Sequence, residues 1–193
     1  MQSSATGVKI SQKGVISMKK ITVILMAMLL VVSTCLMAGC GATNAYKAVT
    51  SALTQYDGQY SNSTLQQDEY QSVNVALYTS GKTLIFHARL DSNVLIMIHI
   101  SKNGEEVFFA CDDSASKTYV TIDCDDDLEV EYVSVYNKPD QATHELIAPT
   151  DAKYDQVLQN AQNHMANAAG YFDKVVCQLT NGQFCSIRQF LED

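Results

Sequence analysis

The densest run of groups able to hold a cation is "DCDDDLEVE", in which Asp123, Asp125 and Asp127 alternate along the chain. Hard cations such as calcium take several oxygen ligands, so alternating aspartates invite that reading. The EF-hand spacing also needs Gly after the third Asp and Glu at the twelfth position, where Leu128 and Ser134 stand instead. A solvated turn between strands is therefore the expectation. Asp123, Asp125 and Asp127 are kept as a weak calcium candidate, and no other metal or cofactor is expected.

The histidines are His87, His99, His144 and His164. If His87 lies opposite Met97 on neighbouring strands, His87 and His99 fall diagonally on one sheet face, beside Arg89. Two imidazoles are an incomplete zinc set, and no carboxylate is placed as a third ligand. Cys111 with His99 has the residue types of a Cys–His dyad, but strand alternation points the two to opposite faces. The chain has no G-x-S-x-G, no H-E-x-x-H and no glycine-rich phosphate loop. Its carboxylates crowd turns and edges and leave no isolated pair for acid–base work. Of its ten Tyr, residues such as Tyr132 and Tyr154 fall on core stripes, which disfavours a sugar-stacking platform.

Cys111, Cys124, Cys177 and Cys185 are the disulfide candidates. Four cysteines allow three connectivities, and none of the spacings is a CxxC. Cys111 and Cys124 fall on the apolar side of their strands, where a free thiol packs as a small hydrophobe. They are separated by roughly 20 Å along the strands and are not expected to bond to each other. Buried thiols and structural disulfides both stay open.

Periodicity sets the elements that carry these groups. "TNAYKAVTSALTQYDG" sets Tyr46, Val49, Leu53 and Tyr56 on one helical face, with Thr43 or Asn44 as cap and Asp57-Gly58 as stop. "QYSNSTLQQDEYQ" reads as a polar linker. From Ser72 to Tyr136 the apolar period becomes two, giving six strands joined by Gly81, "DSN", "NG", "DSAS" and "DDD". A two-residue Asn103-Gly104 turn of type I′ places Ile100 opposite Val107. Three-residue "DSN" and "DDD" loops place Leu90 opposite Val94 and Cys124 opposite Leu128. A one-residue slip at any of them would mix the faces.

After Lys138-Pro139, apolar residues from Tyr154 through Leu158, Met165 and Phe172 to Leu179 recur at spacings of four and three. This predicts a long helix with Thr150 as N-cap and Asn181-Gly182 as stop. The stripe is expected to cover the open apolar face of the sheet; a partner-helix seam is the alternative. "VVCQLTNGQFCSI" has a competing reading as a hairpin that sets Cys177 opposite Cys185, but the stripe through Leu179 favours the helix. "SIRQFLED" predicts a short closing helix. The fold class is α+β: an antiparallel six-stranded meander sheet with a long C-terminal amphipathic helix covering its apolar face. The alternative is an Ig-like β-sandwich with flanking helices.

The N-terminal region obeys a different logic. "MKK" at Met18 precedes an uncharged run from Ile21 to Met37, then small residues and Cys40 in "LMAGC". A positive start, an apolar run and a small-residue exit make a secretory signal. "LMAGC" resembles the lipobox of bacterial lipoproteins, with Met37 where Leu is usual. The resemblance implies cleavage between Gly39 and Cys40 and a diacylglyceryl group on the Cys40 thiol. It covers Met18 to Cys40 and implies a lipid-anchored protein on the extracytoplasmic face of the cell membrane. The expected organisation is an over-extended start at 1–17, with Met18 as the true first residue, and the signal at 18–39. A lipidated N-terminus with a short helix and linker is expected at 40–71, and a globular domain at 72–193.

All 21 acidic residues come after Cys40, and only nine of the 13 basic ones do, so the chain beyond the signal carries a net charge of −12. Phosphate backbones and anionic lipid heads repel such a surface, which excludes nucleic acid as the expected partner. Membrane attachment would come from the acyl chains. The function expected is a non-catalytic binding or interaction module for an envelope protein or ligand. The alternatives are an envelope hydrolase using a Cys or carboxylate, and a structural accessory subunit of a membrane complex.

Overall fold

The computed structural model describes residues 42–66 and 72–191. Cys40, the signal expected before it, and the choice between Met1 and Met18 lie outside the described residues. Among those described, no helix is long and apolar enough to cross a membrane.

Helix α1 (Ala42–Leu53) buries Ala45, Tyr46, Val49 and Leu53. It already begins at Ala42, so Asn44 lies within its first turn and is not its cap. The helix tightens into a 3₁₀ turn at Thr54–Tyr56, and Asp57 and Gly58 then adopt φ of 51° and 80°. The Gly58 N–H donates to the Leu53 carbonyl at 3.0 Å, which is the Asp-Gly stop the sequence predicts. Tyr56 is 45% exposed, not on the core stripe, because three residues per turn rotate it away from the α-helical face.

Among the described residues, eight strands form one antiparallel sheet in chain order, two more than periodicity predicts. They are β1 (Gln59–Gln66), β2 (Ser72–Ser80), β3 (Thr83–Arg89), β4 (Val94–Ser101), β5 (Val107–Asp113), β6 (Thr118–Cys124), β7 (Val130–Asn137) and β8 (Glu145–Leu146). The expected linker is therefore corrected at residues 59–66, which pair with β2 through Tyr60↔Leu77 and Asn62↔Val75. Its polar composition hid an edge strand that buries Tyr60 and leaves Gln59 and Ser61 exposed. β8 is too short to show a period. One hydrophobic cluster joins Ala45–Tyr60 to the sheet and to the later helices, so the packed unit begins before residue 72. A single sheet with helices on it is α+β and not a sandwich of two sheets.

Registers from β3 to β5 agree with the predicted ones, including Phe86↔Ile98, His87↔Met97, Ile98↔Phe109 and Ile100↔Val107. In the "DSN" loop the Asp91 Oδ1 accepts the Asn93 and Val94 N–H groups at 2.6 and 2.8 Å. The "NG" turn is wider than the predicted type I′. The Ser101 N–H donates to Glu106 and Gly104 donates to Ser101, with Gly104 alone in the left-handed region. The register survives because Ser101 still faces Glu106.

At "DDD" the prediction fails. Leu128 is a turn residue at φ 61°, its N–H donating to the Asp125 carbonyl, and Cys124 pairs with Val130. The pairing then jumps to Asp123↔Tyr132, leaving Glu131 as a bulge that reverses the facing of the residues beyond it. Val133 and Val135 pack inward, and Tyr132, expected in the core, is 71% exposed.

Helix α2 (Tyr154–Leu179) lies across the apolar face, burying Leu158, Met165, Phe172 and Val175. Thr150 is not its cap: the helix starts at Tyr154, and the Asp151 Oδ1 accepts the Lys153 N–H at 3.0 Å. Its stripe is used on this chain's own sheet. The helix persists to Leu179 and stops at Asn181 and Gly182, whose N–H reaches the Cys177 carbonyl at 2.8 Å. The chain turns back into the short α3 (Ile187–Leu191), and a Cys177–Cys185 disulfide staples the return without the hairpin.

Candidate functional site

A second stripe, Lys153 at the N-cap of α2 followed by Val157, Asn160 and His164 at spacings of four, three and four, runs beside the core stripe. It overhangs the sheet end formed by the β5–β6 turn and the end of β7. A cleft of about 240 Å³ opens there, with Cys111, Val157 and Ala161 as apolar lining and Asp113, Asn137, Lys153, Asn160 and His164 as polar lining. An apolar base with convergent polar groups is the usual form of a small-ligand site, and this one is smaller than the usual range of about 300–1,000 Å³. Asp113 is held by its own turn: its Oδ1 accepts the Ala115 and Ser116 N–H groups at 2.9 and 3.1 Å, and its Oδ2 accepts the Ser116 hydroxyl at 2.7 Å. Burial works against its charge, but these hydrogen bonds, helped by the nearby His164, hold the carboxyl below its ordinary range. The cleft therefore offers a fixed negative charge, the Lys153 ammonium and an imidazole around a neutral base.

Cys111, His164 and Asp113 are the residue types of a Cys–His–Asp hydrolase, but the thiol is unsuited to attack. Burial first, then the charges of Asp113 and Asp112, push Cys111 up to about 12. A nucleophilic cysteine needs the opposite, a thiolate favoured by nearby positive charge. Cys124, also free and buried, is pushed up to about 12 by burial and by Asp125, Asp123 and Glu131. Cys111 lies opposite Val120 and Cys124 opposite Val107, so the two are apart along the strands and both remain thiols. His99 stands on the other face from Cys111, as strand alternation requires. The imidazole the fold does bring to Cys111, that of His164, was hidden because only docking of α2 fixes which flank overhangs the sheet.

The acidic turn does not assemble into an ion cage. The Asp125 Oδ1 accepts the Asp127 and Glu129 N–H groups at 3.1 and 2.8 Å, so it closes the turn. Asp123 lies within β6 opposite Tyr132. Among the described residues, no group of three or more His, Cys, Asp or Glu side chains is placed to hold a metal ion.

The sheet's second face carries the remaining histidines. The His87 and His99 rings stack at 6.4 Å, the Tyr78 hydroxyl is 3.5 Å from the His87 Nε2, and Phe108 lies 5.3 Å from His99. Burial lowers both imidazole pKa values, and for His87 the charge of His99 adds to it. Further along, Tyr119, Tyr136 and His144 form a second aromatic group beside the Asp112–Lys138 ion pair.

Compared with known protein families, with curated proteins and with solved structures, the chain matches none.

Proposed function

We propose that this protein is a lipid-anchored lipoprotein of the extracytoplasmic membrane face that binds a small polar ligand without transforming it. The observation that carries the binding reading is the cleft under α2, which gathers Lys153, His164 and the low-titrating carboxyl of Asp113 around a base whose one thiol is held up by burial. Placement at the membrane rests on the lipobox at Cys40. It is supported by the Cys177–Cys185 disulfide, since such bonds persist in oxidising compartments. The hydrolase reading draws on the gathering of Cys111, His164 and Asp113 and is opposed by the raised thiol.

Intact mass of the protein extracted from bacterial membranes tests the anchor. A chain beginning at Cys40 with a diacylglyceryl group, abolished by Cys40→Ala, is expected; an unlipidated wild-type chain beginning upstream would overturn it. Iodoacetamide treatment of the folded protein at neutral pH tests the binding reading against the hydrolase one. Neither Cys111 nor Cys124 should be alkylated, whereas fast, selective alkylation of Cys111 would favour a nucleophile.

A further inference from the structure

The second face of the sheet carries donor groups that the cleft does not use. His87 on β3 lies directly opposite Met97 on β4, and His99 comes two residues after Met97, so the three side chains leave the sheet on one side. Directly opposed residues have Cβ atoms about 4.5–5.5 Å apart, and the diagonal neighbour stays within reach of a long side chain. The 6.4 Å between the two imidazole centres agrees with that spacing. All three residues are half-buried, so they are reachable from solvent but partly shielded by their neighbours.

The chemistry of the set is selective. Two imidazoles and a thioether are borderline and soft donors, the class that favours monovalent copper over hard, oxygen-seeking ions. No carboxylate belongs to the triangle. The acids on this face stand outside the triangle: Asp112, opposite Leu95 and paired with Lys138, Asp123, opposite Phe108 on β6, and Glu106, exposed at the β4–β5 turn opposite Ser101. The surroundings also restrain the imidazoles. Tyr78 meets the His87 ring edge-on at 5.5 Å with its hydroxyl near Nε2, and Phe108 walls the far side of His99. Burial favours the neutral imidazole, which is the ligating form. The unbranched Met97, with three rotatable bonds, can turn its sulfur toward either ring.

We propose that His87, Met97 and His99 form a binding site for a soft monovalent cation of the copper(I) class on the open face of the sheet. The ion is held through lone pairs of two imidazole nitrogens and one thioether sulfur, with no change of oxidation state. The site is separate from the cleft, on the opposite face, and does not depend on the anchor at Cys40.

The test uses Ag⁺, a redox-inert stand-in for copper(I), in chloride-free buffer, with the membrane-extracted, detergent-solubilised protein. NMR follows the Met97 methyl and the ring protons of both histidines, which separates this site from the buried thiols of Cys111 and Cys124. One equivalent of Ag⁺ should move all three sets of signals together. Met97→Leu should weaken binding by about tenfold or more while leaving a weaker two-imidazole site, and His99→Gln should do at least as much. Zn²⁺ should bind more weakly than Ag⁺. The wild-type titration needs no variant, so a poorly folding substitution does not spoil the result. Ag⁺ shifts confined to other residues, or unchanged Ag⁺ affinity in Met97→Leu, would overturn the assignment, as would Zn²⁺ binding at least as tightly as Ag⁺.

Discussion

The Asp173 carboxylate on α2 accepts the Ile187 backbone N–H at 2.7 Å through Oδ1, while its Oδ2 is buried with no partner. One oxygen thereby fastens the start of α3, and the other bears the cost of lying inside the core. Burial is the larger influence, and it pushes the carboxyl up to about 7 despite that hydrogen bond.

The consequence is a pH dependence of stability. The folded value, about 7, lies above the ordinary 3.8, so the native state binds the proton more tightly than the unfolded chain. This stabilisation is full below the unfolded value and is lost as pH rises through the folded one. The loss amounts to at most about 4 kcal/mol. Asp173→Asn keeps the acceptor for Ile187 and removes the titration. Urea midpoints at acidic and mildly alkaline pH should show the variant gaining stability relative to wild type as pH rises. An unchanged difference at the two pH values would contradict the assignment.

The Cys177–Cys185 bridge closes a short loop between the end of α2 and the start of α3, with eight residues of separation. Cross-linking a loop of that size is worth about 2–3 kcal/mol through restriction of the unfolded chain. Replacing both cysteines by Ser should lower the urea midpoint correspondingly, and a reductant should have the same effect on wild type. Amide exchange should then quicken first in residues 180–191, because only non-covalent contacts, the Asp173 hydrogen bond and the packing of Phe184 and Phe190, are left to hold them.

Asp112 and Lys138 form an ion pair with both side chains largely shielded from solvent, and the Asp112 Oδ1 is buried without a partner. Lys138→Met should cost about 1–3 kcal/mol, because it strands a carboxylate that has little other compensation. The double variant Asp112→Leu with Lys138→Met should recover part of that loss. Equal losses in Lys138→Met and the double variant would mean that a stranded carboxylate is not what the Lys138 substitution costs.

Phe172 meets Phe86 edge-to-face at 5.5 Å, and both rings are fully buried where α2 crosses the sheet. Phe172→Leu should destabilise the protein by about 1–2 kcal/mol. Tyr132→Ser, at a position 71% exposed, should change stability by no more than about 0.5 kcal/mol. Thermal denaturation of the two variants side by side would check both, and a large loss at Tyr132 would place that ring in the core after all.

Periodicity and turn chemistry are local properties, and the features they control were readable from the chain itself. Alternation from Val73 to Cys124 determined which residues face the core, and the "DSN" loop set the β3–β4 register. The four-and-three spacing after Tyr154 determined α2 and the face it buries. The pairing of His87 with Met97 comes from the same alternation. Tertiary structure decided the rest. β1 has no apolar period and becomes a strand because the free edge of β2 accepts it. The bulge at Glu131 arises from closing the acidic turn, and it alone sends Tyr132 outward. His164 reaches the cleft beside Cys111 because α2 docks at one angle, and Cys185 reaches Cys177 because the chain reverses after Gly182. Docking angle, edge pairing and chain reversal depend on contacts between residues far apart in the chain, which no local pattern encodes.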